Sequence, residues 1–413
     1  MRQTDGKAED EKMNKSAEQA RKHASIRKKN IKLIINLLRA KPDSTFGVGK
    51  TLNLSSGGAK KLVDDIASGG IIARVPEAAG RACQGRPPIG YGVNPRYCLI
   101  AVVNYAAERV SLYDFAGEEI DSFGFGTNNR VTDEDVYALT DRVEEMLDRH
   151  RDRGPVAAIA ISFLGRVDAN THGKILSGVF RDCNVNIYEY YKKRFGTEII
   201  LRNDLQFAIL AERQAGSITG NETSCCYMQI GNGVASAMLI GDKLYLGAHG
   251  IAGEIGQNTL IRSADTRRVE DYLDCGGLKR ALRAATGAGE PSVLVGDFEF
   301  EEILKAYRGG DALTVRKVSE VAANTGLLIK NMIEFMDFDA IVLSGPMTGF
   351  GEEYIETIRK VVHGYGYATR IEVSALGGNA TFIGAFEAAR DEIIEKFAEE
   401  RTAHVSARDS EEE

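Results

Sequence analysis

The sequence predicts an α/β protein in which a small N-terminal module of three helices and a β-hairpin precedes a larger body of two lobes. The first observation is a helical apolar period that ends near Gly69-Gly70 and gives way to short strand patterns. The second is the alternation of strand and helix patterns over about 300 residues after Pro95, which is typical of α/β folds. The chain has 413 residues, 43% of them apolar, and is long enough for two or three packed domains.

The composition argues against several classes of protein. No uninterrupted apolar run approaches 18 residues, so a membrane span is not expected. The polar N-terminus carries both charge signs and has no apolar core, so it does not predict a signal peptide. The six cysteines show neither CxxC spacing nor a disulfide framework. Reduced thiols are typical of the cytoplasm, and we therefore expect a cytoplasmic protein.

The N-terminal segment begins with a polar stretch without periodicity, and residues 1–22 are predicted to be a disordered tail. From Ser25 the apolar residues follow a helical period, with Ser25 as the N-cap and Pro42 closing the helix. A second short helix is predicted after Asp43, and a third begins at Ser55.

A β-hairpin is predicted to follow the third helix, with strands over 71–75 and 89–94 joined by a loop over 76–88. Three short helices and a hairpin describe a winged helix-turn-helix, which we assign to residues 23–96. In such a domain the third helix enters the major groove of DNA, and the wing reaches phosphates or the minor groove. The candidate DNA-binding residues are Ser55, Ser56, Lys60 and Lys61 on this helix and Arg81 and Arg86 in the wing.

The charge distribution agrees with this interpretation. Residues 21–96 carry 15 Lys or Arg against 4 Asp or Glu, whereas the chain from Tyr97 onward carries 33 basic and 50 acidic residues. A basic module attached to an acidic body is typical of a nucleic-acid-binding protein with a separate regulatory domain. The simpler alternative is a helical bundle whose lysine-rich faces are only solvated, and charge alone does not decide between the two.

A second motif in this region is misleading. Residues 47–51 (GVGKT) resemble a phosphate-binding P-loop. That motif needs a glycine where Ser44 stands and a buried strand before it, and the preceding residues 39–43 (RAKPD) do not form such a strand. We therefore do not assign a P-loop.

The body after Pro95 is predicted to contain strands over 99–104, 109–115, 156–162, 198–201, 225–230, 236–240, 341–344 and 371–373. Helices are predicted over 133–149, 205–214, 267–284 and 312–336, with a last helix starting at Ala380. The corresponding division is a first lobe of residues 97–204 with 375–395, a second lobe of residues 205–374, and an acidic tail of residues 396–413.

Three stretches of the body contain candidate catalytic or ligand-binding residues. Asn203-Asp204 stands where a strand ends and a helix begins, the position at which α/β folds place a general base. Residues 230–234 (IGNGV) form a glycine turn between two strands, and residues 247–257 form a glycine-rich loop that contains Glu254. Each has a simpler interpretation, respectively a helix N-cap, an ordinary hairpin and a structural loop, but their order and spacing together are more specific.

In this order the three stretches resemble the ROK family, which comprises bacterial sugar kinases, transcriptional repressors and related open reading frames. The most specific match is the block Gly247–Gly256 after the glycine turn, with Asn203-Asp204 upstream. The N-terminal module, which ends in Gly85-Arg86-Pro87, resembles the repressor branch, such as the xylose and N-acetylglucosamine repressors. The resemblance implies an actin-like (ribonuclease H-like) body of two lobes with a cleft between them.

Two departures from the family pattern bear on kinase activity. Family kinases carry an Asp-x-Gly-Gly-Thr phosphate loop on the first strand of the body, where this chain has residues 104–108 (NYAAE). A further glycine of the second phosphate turn is replaced by Ala235-Ser236. Without these glycines the backbone has little means of approaching phosphate. We therefore expect no catalytic residue, and Asp204, at the kinase-base position, is predicted to bind ligand instead.

The family's ligand sites are kept in part. The resemblance implies that Asn203, Asp204 and Glu254 bind sugar hydroxyls, with Gln257 replacing a histidine contact. A sugar-contacting asparagine expected after Ser177 is absent, and Arg181 is the nearby candidate substitute.

The zinc-binding His and cysteine cluster of some relatives is missing. Cys275 alone cannot hold a tetrahedral zinc ion, so neither a metal nor a cofactor is expected.

These observations predict a DNA-binding transcriptional regulator, a repressor of carbohydrate genes whose degenerate kinase body binds a sugar or sugar derivative. The expected partners are a double-stranded DNA operator, the sugar effector and a second or further copies of the chain in a homodimer or homotetramer. No membrane partner is expected. Two alternatives remain, an active sugar kinase with a fused DNA-binding domain and an effector-independent regulator with a vestigial pocket.

Overall fold

The computed structural model describes residues 2–75, 90–167, 175–259 and 267–409, with side chains between Arg21 and Ala403. Its N-terminal module consists of α1 (Arg2–Ala40), β1 (Asp43–Ser44), α2 (Thr45–Thr51), α3 (Ser56–Ser68), β2 (Ile72–Val75) and β3 (Gly90–Val93). β3 pairs antiparallel with both β1 and β2. The prediction of a winged helix-turn-helix is confirmed, and β1 is a strand that the sequence analysis did not predict.

Serine side chains start two of these helices. The Ser44 hydroxyl accepts a hydrogen bond from the Gly47 amide at 3.1 Å and caps α2. The Ser55 hydroxyl accepts from the Gly58 amide at 3.2 Å and caps α3. Each cap satisfies an amide that has no partner inside its helix. Residues 47–51 therefore belong to a helix rather than to a phosphate-binding loop.

The N-terminal boundary of α1 differs from the prediction. The helix begins at Arg2, so residues 2–22 are helical and Ser25 lies inside the helix instead of capping it. This assignment differs from the prediction of a disordered tail. That prediction relied on the missing apolar period, which reports tertiary packing, whereas the segment is rich in Ala, Glu, Lys, Gln and Arg, which favour helix through local propensity.

The first lobe is built on a five-stranded sheet in the order β10-β7-β4-β5-β6. β4, β7 and β10 are parallel, and β5 and β6 continue the sheet as an antiparallel meander. The elements of this lobe are β4 (Leu99–Asn104), β5 (Arg109–Asp114), β6 (Glu119–Gly124), α4 (Asp133–Arg149), β7 (Val156–Phe163), β8 (Arg166–Val167), β9 (Ile175–Leu176), α5 (Ile187–Phe195) and β10 (Glu198–Asn203). The following helix, α6 (Asp204–Ala215), packs Leu205, Ala208 and Ile209 against the sheet of the second lobe.

The second lobe repeats the same plan in a sheet ordered β13-β12-β11-β14-β15. β11, β14 and β15 are parallel, while β12 and β13 form the antiparallel meander. Its elements are β11 (Ser224–Gly231), β12 (Gly233–Ile240), β13 (Lys243–Leu244), α7 (Glu270–Leu273), α8 (Cys275–Gly287), α9 (Phe300–Arg308), α10 (Ala312–Met336), β14 (Ala340–Ser344), α11 (Glu352–Gly364) and β15 (Arg370–Val373). The duplicated sheet confirms the predicted actin-like body.

The last helix, α12 (Ala380–Asp409), connects the body to the N-terminal module. Ile34 of α1, Ile66 of α3, and Phe386 and Phe397 of α12 belong to one buried cluster. The structure differs from the predicted acidic tail at its start, because Phe397 lies in α12 and is only 4% exposed. The acidic residues around it masked the apolar stripe that packs against α1 and α3.

Candidate functional site

The proposed DNA-reading surface lies on α3. Ser56, Lys60 and Lys61 are exposed on this helix, and Ser55 is exposed at its N-cap. The Ser55 hydroxyl oxygen already accepts from the Gly58 amide, so its first role is to start the helix. Arg81 and Arg86 lie outside the described residues, and their role in the wing stays a prediction.

Part of the positive charge of the module faces the body instead of solvent. Lys28 of α1 donates to Glu399 of α12 at 2.8 Å, and Arg39 donates to Glu387 of α12 at 2.9 Å. The sequence charge count assigned these residues to a basic surface. The structure shows that they hold α12 against α1, which leaves the α3 lysines as the exposed cations of the recognition helix.

A cavity of about 360 Å³ lies between the two sheets, and we refer to it as the interlobe cavity. It forms where β4, β14 and β15 end and where α6 and α12 begin. The carboxyl ends of parallel strands are the usual place for ligands in open α/β sheets. Asp204 lines this cavity, which makes it the centre of the candidate site.

Asn203 and Asp204 occupy the junction between β10 and α6. The Asn203 side chain caps α6 by accepting from the Leu205 amide at 2.8 Å, and its amide group donates to the Gly165 carbonyl at 2.6 Å. Asp204 is only 6% exposed, and burial raises its pKa to about 7, with a further contribution from the nearby Glu254 carboxylate. Asn203 is thus an N-cap and also holds the neighbouring turn, while Asp204 is a carboxyl group that titrates near neutrality.

The glycine-rich loop is fixed against β12 by a very close backbone approach. Gly253 has φ +98°, and a Cβ atom there would lie 2.0 Å from the Ser236 carbonyl oxygen. The Ser236 amide donates to the Gly253 carbonyl at 2.8 Å. This contact fixes Glu254, whose pKa is raised by burial and lowered in turn by the Arg166 guanidinium. The loop therefore brings the half-buried Glu254 carboxylate towards the buried Asp204.

Gln257 lies in a hydrogen-bonded network with residues near α7. Its amide nitrogen donates to Glu270 at 3.1 Å, and its amide oxygen accepts from Arg268 at 3.1 Å. Both functional ends of this side chain are therefore engaged within the protein, and Gln257 is exposed beside the loop.

The described residues around this position do not fit a zinc ion. No group of three His, Cys, Asp or Glu side chains within the described part of the chain is arranged to hold a metal. Cys275 is buried with a free thiol, and burial raises the pKa of this thiol to about 12, which disfavours the thiolate that zinc requires.

Arg181 is placed apart from the other candidates. It is exposed and lies 3.6 Å from Asp182, which also pairs with Arg130 at 2.8 Å. No contact recorded for the described residues connects Arg181 with Asp204, Glu254 or Gln257. Its assignment as an effector contact stays a prediction.

The turn that follows β4 is closed by its own side chain. The Asn104 side-chain oxygen accepts from the amides of Ala106 and Ala107 at 2.9 and 3.0 Å. These are backbone amides of the kind that cradle phosphate in a phosphate-binding loop. Because the Asn104 side chain already accepts from these two amides, they are not free to bind phosphate. Residues 104–108 therefore lack both the free amide donors and the flexible glycines of a phosphate-binding loop.

Sequence reasoning did not predict several residues of this region. The positive charge of Arg166 lowers the pKa of Glu254. The Glu270 carboxylate accepts a hydrogen bond from Gln257, and the Thr381 hydroxyl donates to the backbone carbonyl of Asp204 at 3.3 Å. Arg166 follows Gly165 in the turn after β7, and its position beside this turn could have marked it as a candidate site residue from the sequence. Thr381 belongs to the stretch 380–385, which resembles a late motif of the family, but its contact with Asp204 arises only in the tertiary fold. Glu270 lies outside the matching motifs.

The chain has recognisable relatives over most of its length. The xylose repressor of Caldicellulosiruptor bescii is 22% identical over 392 residues, covering 88% of this chain and 95% of the relative. The glucokinase of Halalkalibacterium halodurans is 22% identical over 302 residues, 67% of this chain and 89% of the relative. The crystal structure of a ROK family transcriptional regulator, described as a homologue of the E. coli MLC protein, covers 91% of this chain and 99% of its own, with a TM-score of 0.72 and 20% identity.

No helix of the described part of the chain is long and apolar enough to cross a membrane. The sequence profile of the ROK family matches residues 126–392, which include β7 and β10 of the first sheet, the whole second sheet and the start of α12. By this match, which spans more than half of its length, the chain belongs to the ROK family.

Proposed function

We propose that this protein is a transcriptional repressor of carbohydrate-metabolism genes whose cleft binds a sugar or sugar derivative as effector. The observation that carries the proposal is the combination of a winged helix-turn-helix, packed on α12, with a ROK body whose phosphate turn is closed by Asn104. The named repressor from Caldicellulosiruptor bescii, which spans the module and the body, supports it.

In this proposal α3 reads an operator. Lys60 and Lys61 contact phosphates or base edges, and Ser56 contributes to the choice of sequence. Arg81 and Arg86 extend the contact from the wing. A homodimer with two-fold symmetry presents two copies of α3 to half-sites separated by a helical turn or a multiple of it.

The effector binds at the cleft in the same proposal. Asn203, Asp204, Glu254 and Gln257 contact sugar hydroxyls, and carboxylates suit this task because they accept from two neighbouring hydroxyls. The buried carboxyl group of Asp204 and the half-buried one of Glu254 support this assignment, since each is better satisfied with a hydroxyl donor than without one.

The coupling between cleft and DNA runs through α12. This helix begins at the interlobe cavity, where the Thr381 hydroxyl bonds to Asp204, and reaches Phe397 in the cluster shared with α1 and α3. An effector changes DNA affinity only if it binds one arrangement of these elements better than another.

Catalysis is not part of the proposed function. A sugar kinase needs donors and a metal-binding carboxylate around the phosphates of ATP. The closed turn at Asn104 lacks both, although the relative named glucokinase keeps phosphoryl transfer as the alternative to be tested. ATP turnover that disappears in Asp204→Asn would support that alternative.

Fluorescence anisotropy on the DNA upstream of the protein's own gene tests the proposal. Binding is measured at fixed salt against unrelated DNA, with and without neutral, amino and phosphorylated sugars. We expect preferential binding that one sugar shifts by about tenfold or more. Preferential binding that no sugar shifts, and that Glu254→Ala leaves unchanged, would indicate a vestigial pocket. Binding without preference over unrelated DNA would contradict the proposal.

A further inference from the structure

Apart from Asp204, the interlobe cavity has a polar, uncharged lining that the proposed sugar contacts do not use. Hydroxyl and amide side chains surround it, contributed by Asn104, Gln229, Ser344, Ser374 and Thr381. Asp204 is the one charged side chain among its described lining residues, which include no lysine, arginine or histidine.

This lining does not suit an anionic ligand. A phosphate group is held by cations or free backbone amides, and the amides of Ala106 and Ala107 are already occupied by Asn104. The Asp204 carboxyl group at the edge of the cavity adds a repulsive charge once it ionises. A nucleotide or sugar phosphate therefore finds no cationic side chain among the described lining residues to compensate for losing its hydration.

The same lining suits a neutral compound rich in hydroxyl groups. Ser, Thr, Asn and Gln side chains each donate and accept hydrogen bonds, so they pair with hydroxyls in either direction. The volume of about 360 Å³ is near the lower end of the range for ligand pockets, which is enough for one small ring system.

We propose that the effector is a neutral disaccharide or glycoside, with one ring at Asn203, Asp204 and Glu254 and the second in the interlobe cavity. Asp204 lines the cavity and interacts with Glu254, so a ligand bound by these carboxylates reaches the cavity directly. This inference rests on the proposed effector function and specifies its ligand class.

Isothermal titration calorimetry on the full-length protein tests the ligand class. The probes are xylose with xylobiose, glucose with cellobiose, and N-acetylglucosamine with its β-1,4 dimer, together with glucose 6-phosphate and ATP. We expect one disaccharide to bind at least about tenfold more tightly than its own monosaccharide. Equal or tighter binding of the monosaccharide, of glucose 6-phosphate or of ATP would overturn the inference.

A substitution at the mouth of the cavity tests the position of the second ring. Ala107 is exposed and lines the cavity, so Ala107→Phe reduces the space with little effect on the core. We expect this variant to lose the advantage of the disaccharide and to keep the affinity for the monosaccharide. Ala284→Phe, on an exposed position of α8, is the matched control and should leave both affinities unchanged.

The two levels of the proposal fail in different ways. An advantage of the disaccharide that survives Ala107→Phe would overturn the placement of the second ring in the cavity. If Glu254→Ala removes the binding of both sugars, the effector site is supported whatever the cavity binds. If no probe binds while specific DNA binding persists, the effector function fails, and this inference fails with it.

Discussion

Burial and ligand binding have opposite effects on the pKa of Asp204. Its carboxyl group is 6% exposed, with a pKa raised to about 7 because burial disfavours the charge. Sugar hydroxyls that donate to this group stabilise the carboxylate and lower its pKa in the complex. By linkage, effector affinity must then rise as pH rises through the pKa of the free protein.

The first prediction follows from this linkage. Between pH 6 and pH 8 the ionised fraction of a group with a pKa of about 7 grows about tenfold, and we expect the effector affinity to rise by up to this factor. Calorimetric titration at both pH values measures it. Asp204→Asn should bind more weakly and lose most of the pH dependence. An affinity that falls with pH, or a pH dependence that persists in Asp204→Asn, contradicts the assignment.

The candidate site was predictable from the sequence only where its residues lie in one short segment. Asn203-Asp204 and Glu254 belong to local motifs, each with a structural reason in the surrounding turn. Arg181 was chosen by proximity along the chain, and proximity along the chain says little about distance across a cleft. The interlobe cavity combines the ends of several strands from both sheets, and their side chains meet only after the lobes have formed.

The elements themselves were predicted best where caps and apolar periods coincide. α4 begins at the predicted residue because Thr132 and Asp135 form a capping box. β6 was missed because it is an edge strand with mixed exposure and charged residues, which weakens the alternation of a strand. α11 has buried residues at helical spacing, including Tyr354, Ile358 and Val362, a signal that the sequence analysis did not use.

The packing of α12 on α6 gives the second prediction. A Cβ atom at Gly384 would lie 1.8 Å from the Phe207 carbonyl oxygen, so the two helices must separate to accommodate Gly384→Ala. Overpacking of this kind costs about 1–3 kcal/mol. Urea unfolding monitored by circular dichroism measures the change. The control is Gly364→Ala in α11, where nothing lies near the added methyl group and the free energy of unfolding should stay equal or increase. Equal effects of the two substitutions would refute the close packing.

The ion pair between α1 and α12 gives the third prediction. Arg39 donates to Glu387 at 2.9 Å, and both side chains are less than 20% exposed, so the pair is partly shielded from solvent. If α12 couples the cleft to the DNA-binding module, Arg39→Glu should weaken the effector's control over DNA binding by several-fold. Operator binding with and without effector measures the coupling. A variant with altered DNA affinity but full effector control would show that the pair is only structural.

At the scale of the whole molecule, the distribution of charge depends on the fold as well as on the sequence. The N-terminal module carries an excess of basic residues, but Lys28 and Arg39 of α1 are neutralised by carboxylates of α12. Lys60 and Lys61 remain exposed on α3, and other exposed cations of the module include Lys29, Lys50 and Arg74. The acidic body limits association with DNA elsewhere on its surface.

The last prediction concerns the salt dependence of operator binding. Each phosphate contact contributes about 0.9 to the slope of log affinity against log salt, so Lys60→Ala or Lys61→Ala should lower the slope by about one per subunit if the lysine contacts phosphate. Lys243→Ala is the matched control, because this exposed lysine lies on β13 in the second lobe and should leave the slope unchanged.

Ser56→Ala should instead change the preference among operator variants at a nearly constant slope, because Ser56 is proposed to contact base edges. Anisotropy titrations from 50 to about 200 mM salt separate these outcomes. A slope that none of the α3 substitutions changes would move the DNA-binding surface away from this helix.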